Sequence, residues 1–210
     1  RRNELRRAAE IQSHLLPCLD RRRDGCEIAA LFRPADAVGG DLYDVLELPD
    51  GSLLLAVLDV SGHGVAAALH TALLRTVLHY EARSGKPVAD ILRAMNEELV
   101  QVVAGSGEFA TCVLVRLNAS NGSAEWGSAG HDPPVTVHAD GRVESLEGGD
   151  VPLGVVAGGT YDTQSVSLDR DARLVLYTDG AHEAANADGE LFGRARLFRA
   201  LARAGAETPA

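Results

Sequence analysis

Two apolar runs in this 210-residue chain each end in an aspartate followed by a glycine turn. Ser52–Leu58 leads into Asp59-Val60-Ser61-Gly62-His63-Gly64, and far downstream Leu174–Tyr177 leads into Thr178-Asp179-Gly180. A third acidic turn, Val38-Gly39-Gly40-Asp41-Leu42-Tyr43-Asp44, precedes the first. A strand end holds its carboxylate rigidly, and glycines beside it let an anion or a hydrated cation approach the backbone. Several such carboxylates in one acidic chain point to a hard-cation site, because Mg²⁺ and Mn²⁺ prefer oxygen ligands. A metal-dependent phosphate-handling enzyme is the leading reading.

Charge narrows the partners. Residues 1–23 hold seven arginines against Glu4, Glu10 and Asp20, a balance of +4, so with a net charge of −10 residues 24–210 carry −14. Such a body repels nucleic acid and favours cations or a basic partner surface. The one lysine, Lys86, is not placed as in a phosphate-cradling loop, and the Ser61–Gly64 glycines lack dinucleotide-fingerprint spacing, so nucleotide binding is disfavoured. No apolar run approaches the roughly 20 residues of a membrane span and there is no secretory signal, so a cytoplasmic domain without membrane contact is expected. Cys18, Cys26 and Cys112 lack metal-ligand spacing and read as idle thiols.

Residues 3–16 read as a helix with Leu5, Ala8, Ala9, Gln12, Leu15 and Leu16 on one stripe, ended by Pro17. It is either the tail of a connecting helix from an upstream sensor, able to pair into a homodimer, or an amphipathic helix packed on its own domain. The expected division is a linker helix over 1–19 and a catalytic domain over 20–210. Strands are expected at Glu27–Arg33, Tyr43–Leu48 and Leu53–Asp59, then helices from Val65 to Ser84 and from Pro87 onward. Three hairpins follow: Ala110–Leu117 with Ser123–Ala129, Val135–His138 with Val143–Leu146, and Tyr161–Leu168 with Arg173–Thr178. A last helix is expected near Arg194–Ala204. Hairpins with helices between groups of strands mean α+β, with stacked antiparallel sheets and helices outside.

The ordered motifs Gln12–Pro17, Val38–Asp44, Asp59–Ala68, Phe109-Ala110-Thr111, Ala129-Gly130-His131-Asp132-Pro133-Pro134, Leu176–Gly180 and Gly189–Gly193 resemble the bacterial PP2C-type serine phosphatases of the SpoIIE/RsbU group. The resemblance covers nearly the whole chain. It implies an αββα sandwich of two antiparallel sheets flanked by helices. It also implies Mn²⁺- or Mg²⁺-dependent hydrolysis of phosphoserine or phosphothreonine on a partner protein, typically a STAS-domain anti-sigma factor antagonist. Carried over by motif, Asp41, Asp59, the Val60 carbonyl and Asp179 would hold two ions, and a metal-activated water would attack phosphorus without a phospho-enzyme. Asp44 and Tyr43 would orient these ligands, and Gly40, Gly62, Gly64 and Gly180 would permit their turns. His63, an imidazole beside the expected metal ligands, could serve as a general acid toward the departing serine oxygen. His131 would fix a loop by hydrogen bonding, and His70 and His79 read as structural. The group's terminal Asp-Asp-x-Thr strand, whose acid completes the metal site, is not among these 210 residues, so the sandwich is expected without it. The alternative is a non-catalytic module of the same fold that recognises a phosphoprotein without turnover.

Overall fold

The computed structural model describes residues 2–17, 21–23, 26–34 and 38–206. Helix α1 (Arg2–Leu15) is followed by a small antiparallel pair, β1 (Arg21–Arg23) and β2 (Cys26–Ile28). Strands β3 (Leu42–Glu47) and β4 (Leu53–Val60) precede helices α2 (Val65–Arg83) and α3 (Val88–Val102). Then come β5 (Ala110–Asn118), β6 (Ser123–Ala129), β7 (Val135–Val137), β8 (Val143–Ser145), β9 (Gln164–Ser167) and β10 (Arg173–Val175), and finally α4 (Gly180–Glu183) and α5 (Arg194–Ala206).

Two sheets stack between helical layers. One has five strands in the order β3-β4-β5-β6-β9, the other three in the order β10-β7-β8, and every named pairing is antiparallel. Period-2 alternation along β4 sorts its side chains between two cores. Leu54, Ala56, Leu58 and Val60 pack with Leu74 and Leu78 of α2 and Ile91, Met95 and Leu99 of α3. Leu55 and Val57 face the other way, into a second core of Val113, Val115, Trp126, Leu174 and Leu176 between the sheets. A third core joins Val135, Val137 and Tyr177 to Leu197, Phe198 and Leu201 of α5. The layers are therefore helix, sheet, sheet, helix, the expected αββα arrangement. Leu114, fully buried on the first interface, typifies the cost of disruption, since Leu→Ala at such a site removes about 2–5 kcal/mol.

Several expectations are corrected. Tyr161–Leu168 and Arg173–Thr178 do not form a hairpin: β9 pairs with β6 and β10 with β7, so the turn at Asp169–Asp171 carries the chain from one sheet to the other. Asp171 takes a φ of 66° there, a left-handed conformation that Asp tolerates better than most residues. The strand expected at Glu27–Arg33 ends at Ile28. Pro87 is the N-cap of α3 and not part of its first turn. Strand β1 and the four-residue α4 add to the expected elements. Of the cysteines, Cys112 is buried and Cys26 half-buried, both free, while Cys18 lies outside the described residues. No described helix is long and apolar enough to cross a membrane.

Candidate metal centre

The register of the first sheet gathers the site. Leu42 pairs with Leu58 and Tyr43 with Val57, so Asp41 continues the β3–β4 ladder opposite Asp59. Asp59 in turn pairs with Thr111 on β5. Alternation puts Asp59 on the same face as Leu55 and Val57, at the mouth of the space between the two sheets. Asp41 and Asp59 are half-buried and share a side-chain hydrogen bond. Burial and the negative charges of Asp41 and Asp179 push the Asp59 carboxyl up to about 7, and burial raises Asp41 as well. Asp179 is exposed at the N-cap of α4 and reaches the pair through its charge. Thr178 closes the gap from the second sheet, donating Oγ1 to Asp41 Oδ2 at 3.2 Å.

Backbone geometry explains the glycines. The Val60 carbonyl lies against Gly40, where a Cβ would come within 2.2 Å of it, and Val60 N donates to Gly40 O at 3.3 Å. Gly40 O also accepts from Thr71 Oγ1 of α2 at 2.8 Å. A side chain at position 40 would therefore force the Asp41 strap away from the end of β4. Gly62 and Gly64 take φ of 93° and 79°, so the turn from Asp59 into α2 runs through left-handed backbone that suits glycine. Ser61 fixes that turn to Phe109, its N–H donating to Phe109 O at 2.9 Å and its Oγ accepting from Phe109 N at 2.9 Å. His63, within the turn, is exposed. Gly180 is the first residue of α4.

His131 joins the two sheets. Its Nε2 donates to the Tyr177 carbonyl at 3.0 Å, so its Nδ1 accepts from Thr111 Oγ1 at 2.7 Å. Burial lowers its pKa, which favours the neutral ring that this pairing requires. Thr111, beside Asp59, is thereby tied to the residue just before Thr178.

Asp44, expected to orient the metal ligands, lies on the opposite face of β3 from Asp41. It is buried, with Oδ2 at 2.6 Å from His79 Nε2 and 2.9 Å from Arg75 Nε, and its Oδ1 accepts from Val45 N at 2.9 Å. It fastens β3 to α2. The Tyr43 ring instead meets Phe32, with centroids 6.2 Å apart. The sequence reading did not single out Asp132, His182 or Arg194. Asp132 accepts from His182 Nε2 at 2.7 Å and from Arg194 Nη2, all beside the Asp179 turn. Asp132 lies in the Ala129–Pro134 motif, but no local pattern links it to His182 and Arg194, 50 and 62 residues away.

The donor set suits a hard divalent ion: two adjoining carboxylates, of which Asp59 is raised to about 7, a third carboxylate within electrostatic reach, and a main-chain carbonyl next to Asp59. A divalent cation displaces the proton from such a raised carboxyl, because ligands bind metal in their deprotonated form. Among the described residues no three His, Cys, Asp or Glu side chains gather into one tight group, and Asp179 acts on the Asp41–Asp59 pair through its charge.

A profile of the family described as Stage II sporulation protein E (SpoIIE) matches residues 49–210. Protein IcfG of Synechocystis sp. is 27% identical over 95% of this chain and 36% of its own length. Phosphoserine phosphatase RsbU of Bacillus subtilis is 26% identical over 90% of this chain and 56% of its own. The chain thus spans between about a third and just over half of these curated relatives. Among solved structures, the SiaA PP2C domain of Pseudomonas aeruginosa superposes with a TM-score of 0.78 at 26% identity, covering 97% of this chain and 86% of that one.

Proposed function

The chain belongs to the SpoIIE family, and from that premise we propose that it is a metal-dependent phosphatase of phosphoserine or phosphothreonine on a partner protein. The observation that carries this reading is the Asp41–Asp59 pair, two acids from separate strands sharing a hydrogen bond at the mouth between the sheets, with Asp59 pushed up to about 7.

Asp41, Asp59, Asp179 and the Val60 carbonyl are the groups that would hold Mn²⁺ or Mg²⁺, two ions in all. Bound there, such ions supply an acidified water and neutralise phosphoryl oxygens, the chemistry that phosphate monoester hydrolysis needs. The chain's own groups do the rest. Thr178 Oγ1 and the Gly40 contact keep Asp41 beside Asp59. The Ser61–Gly64 turn opens directly into α2, a 19-residue helix whose N-terminal N–H groups and dipole favour the substrate phosphate. His63, exposed in that turn, would hand a proton to the departing serine oxygen.

The substrate proposed is a STAS-domain anti-sigma factor antagonist in the cytoplasm, on the strength of the likeness to RsbU. Residues 1–19 would link the catalytic domain, 20–210, to an upstream sensor. Pairing of α1 into a homodimer suits the 66% exposure of Ile11. A second reading, a phosphatase-fold module that binds a phosphoprotein without turnover, draws on the exposure of Asp179 beside a half-buried acidic pair.

Hydrolysis of a generic aryl phosphate separates the two. The catalytic reading expects Mn²⁺-dependent turnover that falls about 10²-fold or more in Asp59→Asn, the scale of several kcal/mol of lost charge stabilisation. No turnover in either protein, with phosphoprotein binding intact, selects the non-catalytic reading.

A further inference from the structure

Residues 131 and 132 straddle the turn that carries Asp179. His131 Nε2 donates to the Tyr177 carbonyl at 3.0 Å, two residues before Asp179. The Asp132 carboxylate binds the far side: Oδ2 accepts from His182 Nε2 at 2.7 Å, three residues after Asp179, and Oδ1 accepts from Arg194 Nη2 at the start of α5. The side chains of Asp132 and His182 are only 15% and 12% exposed, so this pair is shielded from competing water. The His182 ring also meets the Tyr177 ring edge-on, with centroids 6.0 Å apart.

The backbone between these two anchors is a single helical turn. His182 N and Glu183 N donate to Asp179 O at 2.9 and 2.8 Å, and Gly193 N donates to His182 O at 2.7 Å. A four-residue helix has no independent stability, since nucleation alone is unfavourable at that length. Its position comes from contacts with the rest of the fold: the Gly193 and Phe192 backbone bonds to His182 O and Ala184 O, and the side-chain bonds of Asp132. The Asp179 side chain is exposed, so its direction follows that of its backbone. Arg194 and His182 lie 62 and 50 residues from Asp132, and one carboxylate draws both together.

We propose that Asp132 is a positioning residue: through His182 and Arg194 it locks α4 and so aims the Asp179 carboxylate toward Asp41 and Asp59. It touches neither substrate nor cation. Its effect is on the direction of Asp179, an exposed side chain carried on a single helical turn. The inference rests on the metal-dependent reading above.

Mn²⁺ binding to the full 210-residue chain, followed by titration calorimetry, is the test. Asp132→Ala should weaken binding about 10- to 100-fold, the range over which supporting hydrogen bonds tune metal sites. His182→Ala, which cuts the same bond from the other side, should do likewise, and serves if Asp132→Ala does not fold. The discriminating measurement is the double variant. In an Asp179→Asn background, Asp132→Ala should weaken Mn²⁺ binding no further, because the group it aims is already gone. A merely structural role would add its loss in both backgrounds, and that additive outcome overturns the proposal. Binding unchanged in both single variants overturns it too. A parent chain that binds no Mn²⁺ overturns this and the phosphatase reading together. A parent that binds and hydrolyses, with unaltered Asp132→Ala, removes this inference alone.

Discussion

Gln12 grips the peptide of Gly39 at two points. Its Nε2 donates to Gly39 O at 2.7 Å and its Oε1 accepts from Gly39 N at 3.1 Å, with the Gln12 side chain buried. Gly39 lies two residues before Asp41, so α1 is fastened directly to the strap that carries one of the acidic pair. Gln12→Ala leaves the half-buried N–H and C=O of Gly39 without this partner and should cost about 1 kcal/mol in urea denaturation. It should also change the Mn²⁺ concentration needed for half-maximal aryl phosphate hydrolysis. Deletion of residues 1–16 should act in the same direction and lower the mass seen by light scattering if α1 pairs two copies. Mass and activity both unchanged by that deletion would remove α1 from the account.

Asp44 offers a test that separates structure from chemistry. Its buried carboxylate meets Arg75 and His79 of α2, on the face of β3 away from Asp41. Asp44→Ala takes its partner from Arg75, which is 24% exposed, and should destabilise the fold by about 1–3 kcal/mol. Under native conditions the folded fraction should keep the Mn²⁺ dependence of the parent. A loss of Mn²⁺ affinity with no loss of stability would return Asp44 to the metal centre.

The acidic pair sets a pH dependence whose sign is fixed. The Asp59 carboxyl is raised to about 7 in the folded chain, well above the usual carboxylate range. Between about pH 4 and 7 the unfolded chain has lost this proton while the folded chain keeps it, so stability falls as pH rises through that window and levels off above it. Asp59→Asn removes the penalty. With Mn²⁺ chelated, it should be more stable than the parent at pH 8, by about 1–2 kcal/mol once solvent screening of this half-buried group is allowed for. The difference should close toward pH 4. Equal stability of the two proteins at pH 8 would show that the pair carries no such strain.

What the sequence revealed and concealed follows from the range of the interactions. Asp59 was legible because an alternating apolar run and a glycine turn fix both its strand and its place at the strand's end. Asp41 follows from the same hairpin, whose register sets it opposite Asp59. Asp44 shows the cost of reading adjacency without parity: three residues from Asp41 along a strand is the opposite face. The turn at Asp169–Asp171 has the composition of a hairpin, yet whether its flanking strands pair with each other is decided by β6 and β7, distant in the chain. Likewise Asp132, His182 and Arg194 meet only because α4 and α5 fold back over the second sheet, a relationship no local pattern encodes.

The central claim is that Asp41 and Asp59 form one divalent-cation site, and proton release on metal binding measures it directly. Mn²⁺ titrated into the weakly buffered chain at pH 6 should bind saturably and free about one proton per chain, falling toward none by pH 8.5 as the pair loses its proton unaided. Asp59→Asn should abolish that release. Saturable binding without proton release at pH 6, or the same release from Asp59→Asn, would contradict the account.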